Sequence, residues 1–291
     1  MSATTSRTDG ARLDVRQKYQ GNDAAASSVK ETRATRGTTW KIMNRVLTLP
    51  PFLLGALLLL AWYIVTATGS VNAFILPAPK DVFASLIDGF SSGLYWEHIG
   101  ITLQESFFGF LLGVAVALPL GYGIAKSRLV AYTVQPYLSA GQAIPAIVIA
   151  PFLYLWLGMG VLPVIVVCML VVLFPMVVNT VLGIRTIERE LLDAARLEGA
   201  SGWSLLSAIE FPLALPAILA SVRTGLTLSI TGALVGEFFC SPDQGLGALV
   251  QMALHQYNMA FMFATVIILA VLAAVYYSAT ALLVKLAEVI Y

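Results

Sequence analysis

Residues 162–183 read LPVIVVCMLVVLFPMVVNTVLG, a run dominated by Val and Leu without one charged side chain. It exceeds the ~20 residues that an α-helix needs to cross the hydrocarbon of a bilayer. A β-barrel would instead show ~10-residue segments of alternating polarity, whereas a helix satisfies its backbone polar groups internally. Working outward, comparable runs at about 48–68, 99–124, 131–157, 212–239 and 259–284 bring the expected number of spans to six. Composition agrees, since 58% of the 291 residues are hydrophobic, 11% are charged and mean hydropathy is +0.84, outside the range of an ordinary soluble domain. The expected fold is an all-α membrane protein.

Nine of the seventeen basic residues, Arg7, Arg12, Arg16, Lys18, Lys30, Arg33, Arg36, Lys41 and Arg45, precede the first apolar run. That leader is rich in Ser, Thr, Arg, Gly and Asp and cannot bury enough surface to offset ordering its backbone. Residues 1–46 are therefore expected to form a disordered basic tail and residues 47–291 the membrane domain. The tail could touch anionic lipid head groups at roughly 1 kcal/mol per basic residue, although a solvated tail is the plainer reading. The leader is too long for the basic region of a cleavable signal peptide, so the first span should remain as an anchor. Short loops with Lys and Arg stay in the cytoplasm. With both chain ends inside, the nine leader residues, Lys126, Arg128, Arg185, Arg189, Arg196 and Lys285 face the cytoplasm, Lys80 faces out and Arg223 lies within a span.

Two outer segments remain. Residues 69–98 carry Val82, Leu86 and Phe90 one turn apart, as in an interfacial helix. Residues 240–258 are broken by Pro242, Gly245 and Gly247 before an apolar rhythm resumes, which fits a short external helix. Cys168 and Cys240 have no spacing suited to a metal site or a disulfide framework and read as unpaired small side chains.

The longest stretch that membrane insertion leaves unexplained is residues 185–210, RTIERELLDAARLEGASGWSLLSAIE. Ile187, Leu191, Leu192 and Ala195, then Leu205, Leu206 and Ile209, recur at helical spacing on either side of Gly199 to Gly202. This predicts a helix, a sharp turn and a second helix. Interleaved charges on short helices between two spans suit either a solvated connector or a docking surface.

The segment resembles the EAA loop of permease subunits of type I ATP-binding-cassette (ABC) importers, whose pattern is Glu-Ala-Ala, three residues, Gly, nine residues, Ile, one residue, Leu-Pro. The matching residues are Asp193, Ala194, Ala195, Gly199, Ile209, Phe211 and Pro212, with Asp standing for the first Glu and Phe for Leu. Glu198 and Ala200 flank the glycine. Further resemblance lies in LPAP at Leu76 to Pro79, Thr102 and Leu103 before Gly109 and Phe110, Phe174-Pro175 with Asn179, and Gly236-Glu237 before QGLG at Gln244 to Gly247. The flavour is similar to the nitrate, sulfonate and taurine branch, which includes permeases for thiamine-precursor pyrimidines and riboflavin. Glu105 stands where many of these carry Arg.

The resemblance implies a coupling loop over about 185–211 seated on an ATPase subunit, two such ATPases, a second permease copy forming a homodimer, and a solute-binding protein. It implies the bacterial cytoplasmic membrane as location. No Gly-Lys pair is present to end a phosphate-binding loop, so ATP and Mg are expected on the partner ATPase and no cofactor on this chain. No metal site, nucleic-acid partner or enzymatic motif is expected. Glu105, Glu237 and Arg223 are candidates for the translocation path, because charges in spans are expensive; the two carboxylates sit near outer span ends and read otherwise as reaching interfacial water. His98 and His255 read as isolated structural residues. A stand-alone secondary transporter or channel is the alternative, although it would show midplane ionisable residues and repeated halves.

Overall fold

The computed structural model describes residues 53–290 apart from Pro242, with side chains as far as Leu282. The basic tail, the first residues of the first expected span and the Lys285 side chain lie outside the described residues. Two units form, residues 1–68 and 69–291. Within the first, α1 (Leu53–Ala67) is a short apolar helix. The second contains α2 (Pro79–Ser91), α3 (Leu94–Lys126), α4 (Arg128–Ala143), α5 (Ala146–Leu157), α6 (Val161–Arg185), α7 (Arg189–Leu197) and α8 (Gly202–Leu205). A π-helical turn, Leu206–Glu210, leads into α9 (Phe211–Cys240), followed by α10 (Leu246–His255) and α11 (Met259–Ile290).

Among the described residues, four helices are long and apolar enough to cross a membrane unbroken: α3, α6, the continuous stretch Gly202–Cys240, and Met259–Leu282 of α11. The chain is thus an all-helical, multi-pass membrane protein. The expected third span, 131–157, is not one helix. It is split into α4 and α5, which meet at 99°. Pro145 lacks an N–H and crowds the residue before it, so Ile144 leaves the helical region at φ −85°, ψ 116°. Pro119, Pro151 and Pro175 lie inside continuous helices, and Pro163 sits in the first turn of α6, where a missing N–H costs nothing.

The bundle is built around α6. Lipid tails are as apolar as Leu, so helices in a bilayer associate through close van der Waals contact between small residues. On α3 the residues Gly109, Gly113, Ala117 and Gly121 recur every fourth position, and all four are buried. A Cβ at Gly113 would stand 2.9 Å from Val172 Cγ1, and one at Gly121 would stand 2.7 Å from Thr180 Cβ. On the other side of α6, a Cβ at Gly232 of α9 would stand 2.8 Å from Cys168 Cα, and one at Gly236 would stand 2.8 Å from Val164 Cγ1. Two small-residue ridges thus clamp one central helix, and Phe110, Ile124, Val172, Met176 and Val177 fill the core beside them.

Helix directions give the bundle two distinct ends. Lys126, Arg128, Arg185, Arg189 and Arg196 gather at one, the basic end. At the other, Gly160 N–H donates to Cys240 O at 2.8 Å. There α2 and α10 close over α3, α9 and α11 through Tyr95, Ile230, Leu246, Leu249, Ile268 and Leu269. Val82 of α2 is buried, and Leu86 and Phe90 pack on this cluster, as their one-turn spacing predicts.

Candidate functional site

At the basic end, residues 186–210 join α6 to α9. Helix α7 stands between the two spans and buries none of its residues. It carries Asp193, Ala194 and Ala195. Asp193 pairs with Arg196 at 2.9 Å, an exposed contact of little energetic weight. The helix stops at Gly199, whose φ of +96° is a left-handed conformation that a Cβ would oppose. Ala200 N–H closes the turn onto Ala195 O at 2.9 Å. Asp193, Ala194, Glu198 and Gly199 are exposed, and Ala195, Ala200, Ile209 and Pro212 are half-buried. Leu197 is 90% exposed and Trp203, just past the turn, 78%.

The second helix of the expected helix-turn-helix is not separate from the span. From Gly202 the chain runs as one helix of 39 residues to Cys240. It starts at a reciprocal pair of hydrogen bonds between Ser201 and Ser204. Pro212 therefore stands inside a continuous helix and does not open one. The π turn immediately before it widens the ring to i→i+5, with Phe211 N–H donating to Leu206 O, and this accommodates the proline's missing donor and its bulk.

Sequence reading missed what anchors this turn. Glu210, the last residue of the π turn, is buried, with a side chain 1% exposed, and pairs with Lys126 at the end of α3. Tyr122 OH donates to its other carboxylate oxygen at 3.2 Å. One turn away, the Arg185 guanidinium donates to Ile124 O at 3.2 Å. The ends of α3, α6 and α9 are thus tied together where α7 departs. A cavity of about 580 Å³ opens beside Tyr122, Trp203, Glu210 and Phe211.

A larger cavity, about 830 Å³, lies at the α4–α5 break and is bounded by α6 and α9. Its polar groups are the amides of Gln142 and Asn179 and the hydroxyl of Thr231, and Phe174 supplies a ring; no charged side chain lines it. Past the break, Val148 N–H closes the first turn of α5 onto Pro145 O at 2.9 Å. Non-helical backbone at membrane depth is tolerated where it borders a cavity or packed protein.

The three charged span residues lie elsewhere. Arg223 stacks its guanidinium on the Tyr277 ring, 3.9 Å from the centroid. Glu105 and Glu237 do not reach interfacial water. Both are 0% exposed, because α2 and α10 cover the end of the bundle that sequence reading left open. They come from different helices and face each other, so no spacing along one helix announced the pair. His98 Nδ1 lies 2.9 Å from Gly245 O, a structural contact, and His255 Nδ1 lies 2.7 Å from Gln251 O. Both cysteines are free and buried. Among the described residues no group of three or more His, Cys, Asp or Glu could hold a metal.

Residues 109–288 match the family described as binding-protein-dependent transport system inner membrane component. The riboflavin transport system permease protein RibX of Chloroflexus aurantiacus is 40% identical over 79% of this chain and 85% of its own. The formylaminopyrimidine transport permease protein ThiX of Halalkalibacterium halodurans is 30% identical, covering 77% of this chain and 88% of its own. The putative aliphatic sulfonates transport permease protein SsuC of Bacillus subtilis is 28% identical, covering 85% and 89%. Among solved structures, an inward-facing form of the MetNI methionine ABC transporter superposes with a TM-score of 0.59 at 20% identity, covering 66% of this chain and 97% of that one. An all-helical bundle, a matching fold and these identities over most of both chains lead to one conclusion: the chain belongs to the family of binding-protein-dependent transport system inner membrane components, the non-enzymatic permease subunits of ABC transporters.

Proposed function

We propose that this chain is the membrane-spanning half of an ATP-driven importer whose ATPases, solute-binding protein and second permease half are separate polypeptides. The observation that carries this reading is the bare surface of the inter-span segment. Helix α7 buries nothing, and Leu197 and Trp203 hold apolar side chains out at 90% and 78% exposure. A soluble subunit seated there would cover them. Asp193, Ala194, Ala195, Glu198, Gly199 and Ala200 form the docking helix and its turn, and Ile209 and Pro212 connect them to the span. The basic end faces the cytoplasm by the distribution of Lys and Arg. ATP and Mg bind to two partner ATPases, one on each of two identical permeases.

The solute class that fits is a neutral nitrogen heterocycle, flavin-like or pyrimidine-like, ahead of a sulfonate, taurine or nitrate-like anion. Support comes from the cavity at the α4–α5 break, whose amides, hydroxyl and ring suit hydrogen bonding and stacking without an ion pair. Arg223, the cation within the spans, stacks on Tyr277 and does not line this cavity. The relative at 40% identity is a riboflavin permease.

The test is co-expression with the chromosomally neighbouring ATPase, comparing wild type with Leu197→Glu. Wild type carries the ATPase through purification in detergent, and Leu197→Glu inserts normally but loses it. A chain that purifies alone and moves solute without any ATPase refutes the importer reading in favour of a stand-alone transporter.

A further inference from the structure

The buried pair at the end of the bundle opposite the basic end is asymmetric in its hydrogen bonding. Glu237 receives donors on both oxygens: Thr102 Oγ1–H at 2.6 Å on Oε1 and Gly247 N–H at 2.5 Å on Oε2. Thr102 in turn accepts Leu246 N–H at 2.9 Å, so the order of donation is Leu246 to Thr102 to Glu237. The glycines are required by this seat. A Cβ at Gly245 or Gly247 would intrude on the Glu237 carboxylate, and Gly245 holds φ +94°. Glu105, by contrast, accepts from no donor among the described residues: both its oxygens are buried, and the polar group within their reach is the Glu237 carboxylate, itself an acceptor. Neither carboxyl joins an ion pair among the described residues. Besides Thr102, the polar groups that face the pair are the thiols of Cys168 on α6 and Cys240 on α9; His98 on α3 is engaged with Gly245 O and Tyr276 on α11 with Ser106.

A buried carboxylate needs donors or a counter-charge, and two facing carboxylates repel. Glu237 has its donors; Glu105 has neither donor nor cation among the described residues. We propose that Glu105 is a neutral carboxylic acid that gives its proton as a hydrogen bond to the Glu237 carboxylate, making the two residues a binding site for one proton. The carboxylate then accepts three hydrogen bonds, from Glu105, Thr102 and Gly247, and this single acceptor holds the first turn of α10 against α3 and α9. The proton takes the place a buried cation would occupy.

The experiment uses the full-length chain in lipid nanodiscs at neutral pH. Infrared difference spectra on exchange into heavy water report the C=O stretch of protonated carboxylic acids, and amide exchange at Leu246 and Gly247 reports the seat. Wild type shows a protonated, hydrogen-bonded carboxyl band that Glu105→Gln removes, while Glu105→Gln leaves exchange at Leu246 and Gly247 unchanged, because its amide donates the same bond. Glu237→Gln has only one acceptor atom for three donors, and exchange at both amides rises by about tenfold, as for a lost bond to a charged group. The proposal is overturned if wild type lacks the band, if the band survives Glu105→Gln and vanishes in Glu237→Gln, or if Glu105→Gln loosens the seat as much as Glu237→Gln does. Failure of Glu105→Gln to fold counts against it equally, since an isosteric neutral donor should substitute.

Discussion

Replace Gly232 by Ala and, in a separate chain, Gly100 by Ala. Both glycines sit inside long helices, so the change in intrinsic helix preference is common to the two variants and cancels in the comparison. Their surroundings differ. Nothing lies within 4 Å of a Cβ built on Gly100, whereas one on Gly232 meets Cys168 Cα at 2.8 Å, Cys168 N at 3.3 Å and Cys168 Sγ at 3.4 Å. Carbon atoms rest about 3.5–4.0 Å apart, so α9 must move from α6 by about 1 Å at this point. The obstruction is backbone and cannot rotate away. Overpacking of this kind costs about 1–3 kcal/mol, and that range is the expected gap between the two variants. The assay is thermal unfolding in a mild detergent, each variant against wild type: Gly232→Ala unfolds below Gly100→Ala. Coincident transitions would refute the claim that α6 and α9 meet backbone to backbone.

Two further outcomes follow from the polar contacts. Lys126→Met strands the buried Glu210 carboxylate and lowers stability by on the order of 2 kcal/mol, moderated because Lys126 is 30% exposed; adding Glu210→Gln restores most of the loss, and a double-mutant cycle that returns purely additive effects would refute the coupling. Tyr277→Phe keeps the ring beneath Arg223 and leaves stability nearly unchanged, whereas Tyr277→Leu loses about 0.5–2 kcal/mol; equal effects on thermal unfolding would show that the stacking contributes nothing.

What was legible in the chain was periodic or local. Residues 162–183 read as a membrane span by length and apolarity, and Val82, Leu86 and Phe90 announced α2 by their one-turn spacing. Gly199 marked the end of α7 because a positive φ needs a residue without a Cβ. The spacing Gly109, Gly113, Ala117, Gly121 was equally open to reading as a helix contact ridge, since four-residue recurrence of small side chains has one mechanical use in lipid. What was not legible depended on pairs far apart in the chain. Lys126 and Glu210 are 84 residues apart, and nothing near either one names the other. Glu105 and Glu237 sat at apparent span ends, and their burial required knowing that α2 and α10 fold back over them. Composition also hid the α4–α5 bend, since residues 131–157 stay apolar through Pro145 and hydropathy is blind to direction. The continuity of α8 with α9 was hidden in the opposite way, by glycine and proline signals that a π turn absorbs.

That continuity has a mechanical consequence. The helix from Gly202 to Cys240 spans 39 residues, or about 58 Å at 1.5 Å per residue. One tip bears Trp203 at the bare surface beside α7, and the other, within one turn of Glu237, bears the seat of the α10 segment. A beam of this length works as a lever: tilted by about 5° around its contacts with α6, with rise per residue as given, it carries its far tip through about 5 Å relative to the near one. The π turn, Pro212 and Pro216 all lie in the half that begins at Gly202, so bending is concentrated toward the Trp203 tip, and the remaining length would carry such a tilt across the membrane as one piece.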